Sequence, residues 1–220
     1  MKALLLGSIG TLADTSELQR EAFNAAFAEH DLPWVWERDA YRRMLRSSGG
    51  ARRIAAQADA EARRVDAGAV HATKSRIFQD YLSQGRATTR PGLMATLERC
   101  AADDIPVAFV TTTSRDNVAR LLDGLGLRED RFRAVLSRDD VAAPKPAPDC
   151  YHLAAAMLAT KPCDCLAVED NEDGVRAAIA AGVPVMAWPN ANTAGHDFGA
   201  AAVAGERLDD SLWGERMAAE

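Results

Sequence analysis

Four short apolar runs in this 220-residue chain end in residues suited to handling a phosphate group. Ile105-Pro-Val-Ala-Phe-Val110 runs into Thr111-Thr112-Thr113-Ser114. Lys145 sits in the Pro-punctuated run Pro144-Lys-Pro-Ala-Pro148, downstream of Arg133-Ala-Val-Leu-Ser137. Asp164-Cys-Leu-Ala-Val168 is closed by Glu169-Asp170-Asn171-Glu172-Asp173-Gly174, and Ala3-Leu-Leu-Leu6 by Gly7-Ser8-Ile9-Gly10-Thr11. Hydroxyls and backbone N–H groups at a strand end can hold phosphate oxygens, a lysine can neutralise them, and adjacent carboxylates can hold Mg²⁺. The Gly7 loop carries no ionisable group. The combination is a phosphate-and-magnesium site without a nucleophile.

Such residues converge only if the runs are neighbouring strands. An unbroken apolar run is the signature of a parallel strand covered by helices on both faces, and ligands on such sheets bind at the carboxyl ends of the strands. Helical spacing is expected over Asp14 to Glu29, with Thr15 or Ser16 as N-cap, and then over 37–45, 52–64 and 67–82. Further helices are expected over 92–102, 116–124, 149–158 and 175–181, and a further strand at Val183-Pro-Val-Met-Ala-Trp188. No strand is expected between residues 15 and 88. The fold class is therefore α/β: a doubly wound, Rossmann-like parallel sheet from 1–14 and 89–220, with an all-α helical insertion over 15–88. Trp34 and Trp36 are expected to serve core or cap packing and not a ligand, and Met217 to Glu220 to fray.

Composition narrows the function. A net charge of −6 and a pI near 5.3 disfavour a polyanionic partner, so nucleic acid is not expected and the arginines at 42, 43, 46, 52 and 53 need a local explanation. No apolar run approaches the roughly 20 residues of a membrane helix, and there is no leader-like segment at Met1. Cys100, Cys150, Cys163 and Cys165 lack zinc-site spacing and are read as reduced thiols of a cytoplasmic protein, Cys163 exposed and Cys165 buried. A monomer or weak homodimer is expected.

The order of the motifs resembles the haloacid dehalogenase superfamily, in particular its β-phosphoglucomutase-like branch, which includes xylulose-1,5-bisphosphate phosphatases. Val107-Ala-Phe-Val-Thr-Thr-Thr-Ser114 matches the second motif at Thr111, Lys145 the third, and Ala167-Val-Glu-Asp-Asn-Glu-Asp-Gly174 the fourth. The resemblance implies phosphate binding by Thr111, Thr112 and Lys145, and metal binding by Glu169 and Asp170. It also implies a cap whose Leu45-Arg-Ser-Ser-Gly-Gly-Ala-Arg-Arg-Ile54 segment presents Gly49, Gly50 and Arg53, together with Lys74, to a phosphorylated sugar. Gln19 stands where close relatives often carry a substrate-facing histidine.

The first motif departs from the pattern. The family reads D-x-D-G-T-L there, the first aspartate being nucleophile and metal ligand and the second the acid/base. This chain keeps Gly10-Thr11-Leu12 but has Gly7 and Ile9 at the two catalytic positions. Covalent catalysis needs a nucleophile, and a positioned acid/base contributes about 10²- to 10⁴-fold. Strand alternation directs Ser8 away from where position 7 points, so it does not replace the nucleophile. Mg²⁺ affinity is expected to be weakened, with Glu169, Asp170, the Ile9 carbonyl and water as ligands and Lys145 as a competing charge. The expected function is a catalytically impaired phosphatase-like or phosphomutase-like protein that retains phosphosugar binding. Two alternatives are an active hydrolase using a Mg²⁺-bound water held by Glu169 and Asp170, and a non-enzymatic protein acting through a surface.

Overall fold

The structure, a computed structural model, describes residues 1–46 and 49–213. Ser47 and Ser48 of the expected specificity segment, and the expected frayed end at Met217 to Glu220, lie outside the described residues. Six strands form one sheet: β1 (Ala3–Leu6), β2 (Val107–Val110), β3 (Ala134–Leu136), β4 (Cys165–Glu169), β5 (Val185–Ala187) and β6 (Ala202–Val203). Their order is β3-β2-β1-β4-β5-β6, and every neighbouring pair is parallel. β1 lies inside the sheet, with Leu4 opposite both Val107 and Leu166.

Strand alternation divides the core. Leu4 and Leu6 join Phe109 and Val168 on one face, while Ala3 and Leu5 join Val110, Ala167 and Tyr151 on the other. All four β1 residues are buried, which is why the run is apolar without interruption.

The helices are α1 (Ile9–Leu12), α2 (Ser16–Glu29), α3 (Arg38–Met44), α4 (Gly50–Ala60), α5 (Ala67–Ser83), α6 (Leu93–Ala102), α7 (Arg115–Gly124), α8 (Asp149–Met157), α9 (Glu172–Ala180) and α10 (Leu208–Trp213). Helices α2 to α5 form the helical cap region, and their apolar residues continue the core of one sheet face. Phe23 of α2 lies 4.6 Å from Trp36 and 6.0 Å from Tyr41, ring centre to ring centre. Trp34 and Trp36 are buried, and their indole N–H groups donate to Glu61 and Gln57, so both pack within the cap as expected. Gln79 of α5 donates to Asn117 of α7 at 2.9 Å, joining cap to core. Cys163 is exposed and Cys165 buried, also as expected. Among the described residues, no helix is long and apolar enough to cross a membrane.

Three local expectations need correction. The Gly7 to Thr11 loop contains a helical turn, α1, beginning at Ile9. Helix α9 starts at Glu172 rather than at Val175, because Asn171 accepts from the Gly174 N–H at 2.9 Å and the acidic pair Glu172-Asp173 suits the first turn. β6 and α10 lie outside the expected elements; β6 is only two residues long, too short for a strand pattern. Thr15 does stand at the N-cap of α2, but its hydroxyl serves Gln19 instead of the helix backbone.

Phe23→Ala is expected to lower unfolding free energy by about 3–5 kcal/mol in a urea titration, the usual cost of an aromatic cavity. A loss below 1 kcal/mol would mean that this cluster does not hold the cap.

Candidate active site

The carboxyl ends of β1, β2 and β4 meet at one ammonium group. Lys145 Nζ donates to the Gly7 carbonyl, to the Val110 carbonyl at 2.8 Å and to Glu169 Oε1 at 2.6 Å. Lys145 is 5% exposed and Glu169 fully buried. The Tyr151 hydroxyl, from α8, donates to the same Glu169 oxygen at 2.6 Å. Burial raises the Glu169 pKa, Lys145 opposes the rise, and neighbouring Asp170 adds to it. Burial, reinforced by Glu169, holds the Tyr151 phenol well above its ordinary value, so it stays a protonated donor.

Glycines make room for these carboxylates. A Cβ on Gly7 would lie 2.3 Å from Glu169 Cδ, Glu169 Oε1 and the Tyr151 oxygen. A Cβ on Gly174 would lie 2.0 Å from Glu169 Cδ, and one on Gly10 1.8 Å from Asp170 Oδ2. Glu169 and Tyr151 thus fill the space that a side chain at position 7 would need.

Asp170 is held by neutral donors. Its Oδ1 accepts from Ser8 Oγ at 2.6 Å and Asn171 Nδ2 at 2.7 Å, and its Oδ2 from Asn190 Nδ2 at 3.3 Å. Alternation does not govern Ser8, because β1 ends at Leu6 and the chain has already left the strand. Asn190 is fixed in turn by a small turn: its Oδ1 accepts from the N–H groups of Asn192 and Thr193. Arg90 lies close by, its guanidinium 3.5 Å over the Trp188 ring and donating to the carbonyls of Gly10, Trp188 and Pro189. Burial lowers its pKa to about 10 and the Asp170 carboxylate opposes that shift.

The expected phosphate-side residues surround this cluster. Thr111 is buried and its hydroxyl accepts from the Thr113 N–H at 3.2 Å, while Thr112 is half-buried. Ile9 packs against the core, and its carbonyl accepts the Ala13 N–H at 2.9 Å. The expected cap residues form a second cluster around Phe23. Lys74 Nζ donates to Gln19 Oε1 at 3.0 Å and lies 4.8 Å from the ring centres of both Phe23 and Phe78. Arg53 Nε donates to the Met44 carbonyl and its guanidinium lies 6.0 Å from the Tyr41 ring centre. Gly50 opens α4 against His71, where a Cβ would come within 2.6 Å of the imidazole, and Gly49 takes a φ of +111°. Burial, then Arg53, lowers the Lys74 pKa to about 7; burial, then Lys74 and Arg53, lowers that of His71 to about 4. The arginine-rich stretch also contacts the core, Arg42 reaching Asn192 at 3.3 Å and Arg46 the Gly195 carbonyl at 3.5 Å.

The profile of haloacid dehalogenase-like hydrolases matches residues 1–182. The chain belongs to that family. It is 36% identical over 209 residues to protein CbbY of Rhodobacter capsulatus, covering 91% of each chain. Its fold is similar to the crystal structure of CbbY from Rhodobacter sphaeroides in complex with phosphate, with a TM-score of 0.87, 31% identity and 96% of each chain covered. It is likewise similar to a variant of that protein in complex with xylulose-(1,5)bisphosphate, with a TM-score of 0.86, 32% identity, and 98% of this chain and 96% of that one covered. Within the haloacid dehalogenase-like family, its sequence and fold are therefore similar to those of CbbY proteins.

The family generally uses Mg²⁺, which favours about six oxygen ligands in octahedral geometry. The donors here do not fit that ion. Glu169 Oε1 already accepts from Lys145 and Tyr151, Asp170 from Ser8, Asn171 and Asn190, and the Ile9 carbonyl from the Ala13 N–H, which leaves Glu169 Oε2 as the one carboxylate oxygen of the pair without a partner. Among the described residues, no group of three or more His, Cys, Asp or Glu side chains is arranged to hold a metal.

Tyr151, Ser8, Asn190 and Arg90 are the site residues that sequence reasoning missed. Gly7→Ala is expected to cost about 1–3 kcal/mol, an overpacking penalty in a filled interior. Gly195→Ala, with nothing within 4 Å of its added carbon, is expected to stay within about 0.5 kcal/mol of the parent chain. Chemical denaturation of both variants tests this, and equal midpoints would show that the space beside Gly7 is not filled.

Proposed function

We propose that this chain is a phosphosugar-binding member of its family from which covalent phosphoryl transfer has been lost. The observation that carries this reading is the space beside Gly7. Glu169 and Tyr151 occupy it, and no side chain at position 7 or 9 is able to attack phosphorus or move a proton. Gly7 and Ile9 stand where the resemblance places the nucleophile and the acid/base.

The cap supports retained binding. Lys74 is 4% exposed, and among the described residues no carboxylate lies within ion-pair distance of it. A buried cation without a counter-ion is costly, and an anionic ligand group relieves that cost. Lys74, with Gln19, Gly49, Gly50 and Arg53 around it, is the proposed anchor for a phosphate of a phosphorylated sugar. Thr111 and Thr112 offer hydroxyl groups from the core side, after β2. Division of labour between a core over 1–14 and 89–220 and a cap over 15–88 belongs to this proposal.

The test is direct. With sugar mono- and bisphosphates and Mg²⁺, phosphate release is expected to stay at the blank rate; turnover that an Asp170→Ala substitution abolishes would overturn the loss of catalysis. In thermal shift, a ligand at 100 times its dissociation constant adds about 2.7 kcal/mol of stability. A panel of phosphosugars without any shift would overturn the binding half.

Binding is also expected to depend on pH in a defined sense. An anion favours the charged form of Lys74, whose pKa near 7 leaves it increasingly neutral above that value; Arg53 and His71 are the other titratable groups facing it. Affinity should therefore fall as pH rises from 7 to 9, with proton uptake on binding near neutrality. Calorimetry in buffers of different ionisation enthalpy measures that uptake, and Lys74→Met should remove both the pH dependence and most of the affinity.

A further inference from the structure

We infer that Lys145 is the resident cation of this site, so that the chain needs no divalent metal to hold its acidic cluster together. This rests on the reading of position 7 given above, and it concerns a different property.

The oxygens around Lys145 Nζ are those of a cation site. Two backbone carbonyls, Gly7 and Val110, and one carboxylate oxygen of Glu169 converge on it from the ends of β1, β2 and β4. An ammonium has three donors, and these three close acceptors engage them, with the Tyr151 oxygen farther off at 3.5 Å. The two carboxylates of the cluster face two basic groups: Glu169 pairs with Lys145, and Arg90 lies in the field of Asp170. A divalent ion would bring two further positive charges beside the Lys145 ammonium. It would also have to displace donors from both oxygens of Asp170 and from Glu169 Oε1.

Of the oxygens of Glu169 and Asp170, Glu169 Oε2 is buried without a hydrogen-bond partner. It presses on α9, where a Cβ on Gly174 would lie 2.2 Å away. A cation approaching this carboxylate competes with the Lys145 ammonium for the same charge. Mg²⁺ dehydrates reluctantly and demands near-ideal octahedral geometry, which puts it at a disadvantage against an ammonium already in place.

Removing Lys145 should therefore convert a metal-indifferent protein into a metal-responsive one. Titration of the unaltered chain with Mn²⁺, followed by the electron paramagnetic resonance of the free ion, is expected to give no saturable site up to millimolar concentration. Its melting temperature should be the same in Mg²⁺ and in EDTA. Lys145→Met should melt lower than the parent in EDTA and recover part of the loss in millimolar Mg²⁺. Saturable Mn²⁺ binding by the unaltered chain that an Asp170→Asn substitution abolishes would overturn the inference, as would a folded Lys145→Met variant indifferent to Mg²⁺. Should that variant not fold even with Mg²⁺ present, the Mn²⁺ titration of the unaltered chain alone decides. Turnover in EDTA would defeat the proposed loss of catalysis and leave this inference standing. Mn²⁺ binding without turnover would do the reverse.

Discussion

A buried charge has to be surrounded by the right atoms, and in this protein that requirement fixes the carboxyl edge of the sheet. Removing an ammonium and a carboxylate from water costs several kcal/mol per ion, which only close pairing and further hydrogen bonds offset. Lys145 meets that condition by drawing on three neighbouring strand ends, and Glu169 meets it at one of its two oxygens, Oε1, through Lys145 and the Tyr151 hydroxyl. Such a pair is weak evidence for net stability, because an apolar replacement of the same shape is often no worse. Its consequence is positional: the loops after β1, β2 and β4 are held at one point, and Thr111, Asp170 and Gly7 are placed by it.

The glycines are the complement of that arrangement. Gly7, Gly10 and Gly174 each lie where an added Cβ would collide with a carboxylate of Glu169 or Asp170. None of the three has the positive φ of a turn glycine, so close approach is the constraint they satisfy. Ser8, Asn171 and Asn190 then saturate Asp170 with neutral donors. A loop with no ionisable side chain is thereby tied tightly to the two carboxylates that follow β4.

Most of the sheet was legible because buried parallel strands are written as uninterrupted apolar runs, and Ala3–Leu6, Val107–Val110 and Cys165–Glu169 all carry that signature. β6 was not, because two exposed residues at a sheet edge, Ala202 and Val203, have no pattern to read. Thr111, Lys145, Glu169 and Asp170 were visible as polar residues following strands. Tyr151 was not, since a helical tyrosine six positions after a lysine looks like any core aromatic. The Ser8 hydrogen bond to Asp170 carried no signal, because the residue follows the end of β1, where no strand pattern reaches. The Asn190-Ala-Asn-Thr193 run carried the one signal left unused: an Asx-type turn directly after a strand, at the edge where ligands bind.

The place of β1 inside the sheet has a consequence for how the chain reaches this state. Its hydrogen-bonding edges are completed by segments far away along the polypeptide: Leu4 must wait for Val107 on one side and for Leu166 on the other. During synthesis the Ala-Leu-Leu-Leu segment therefore emerges well before its partners as a wholly apolar stretch, while α2 and α5 meet over a shorter separation than β1 and β2 do. The cap is positioned to form early and the sheet late. The same strand that delivers Gly7 to the cluster is thus the segment most in need of protection from aggregation before β4 arrives.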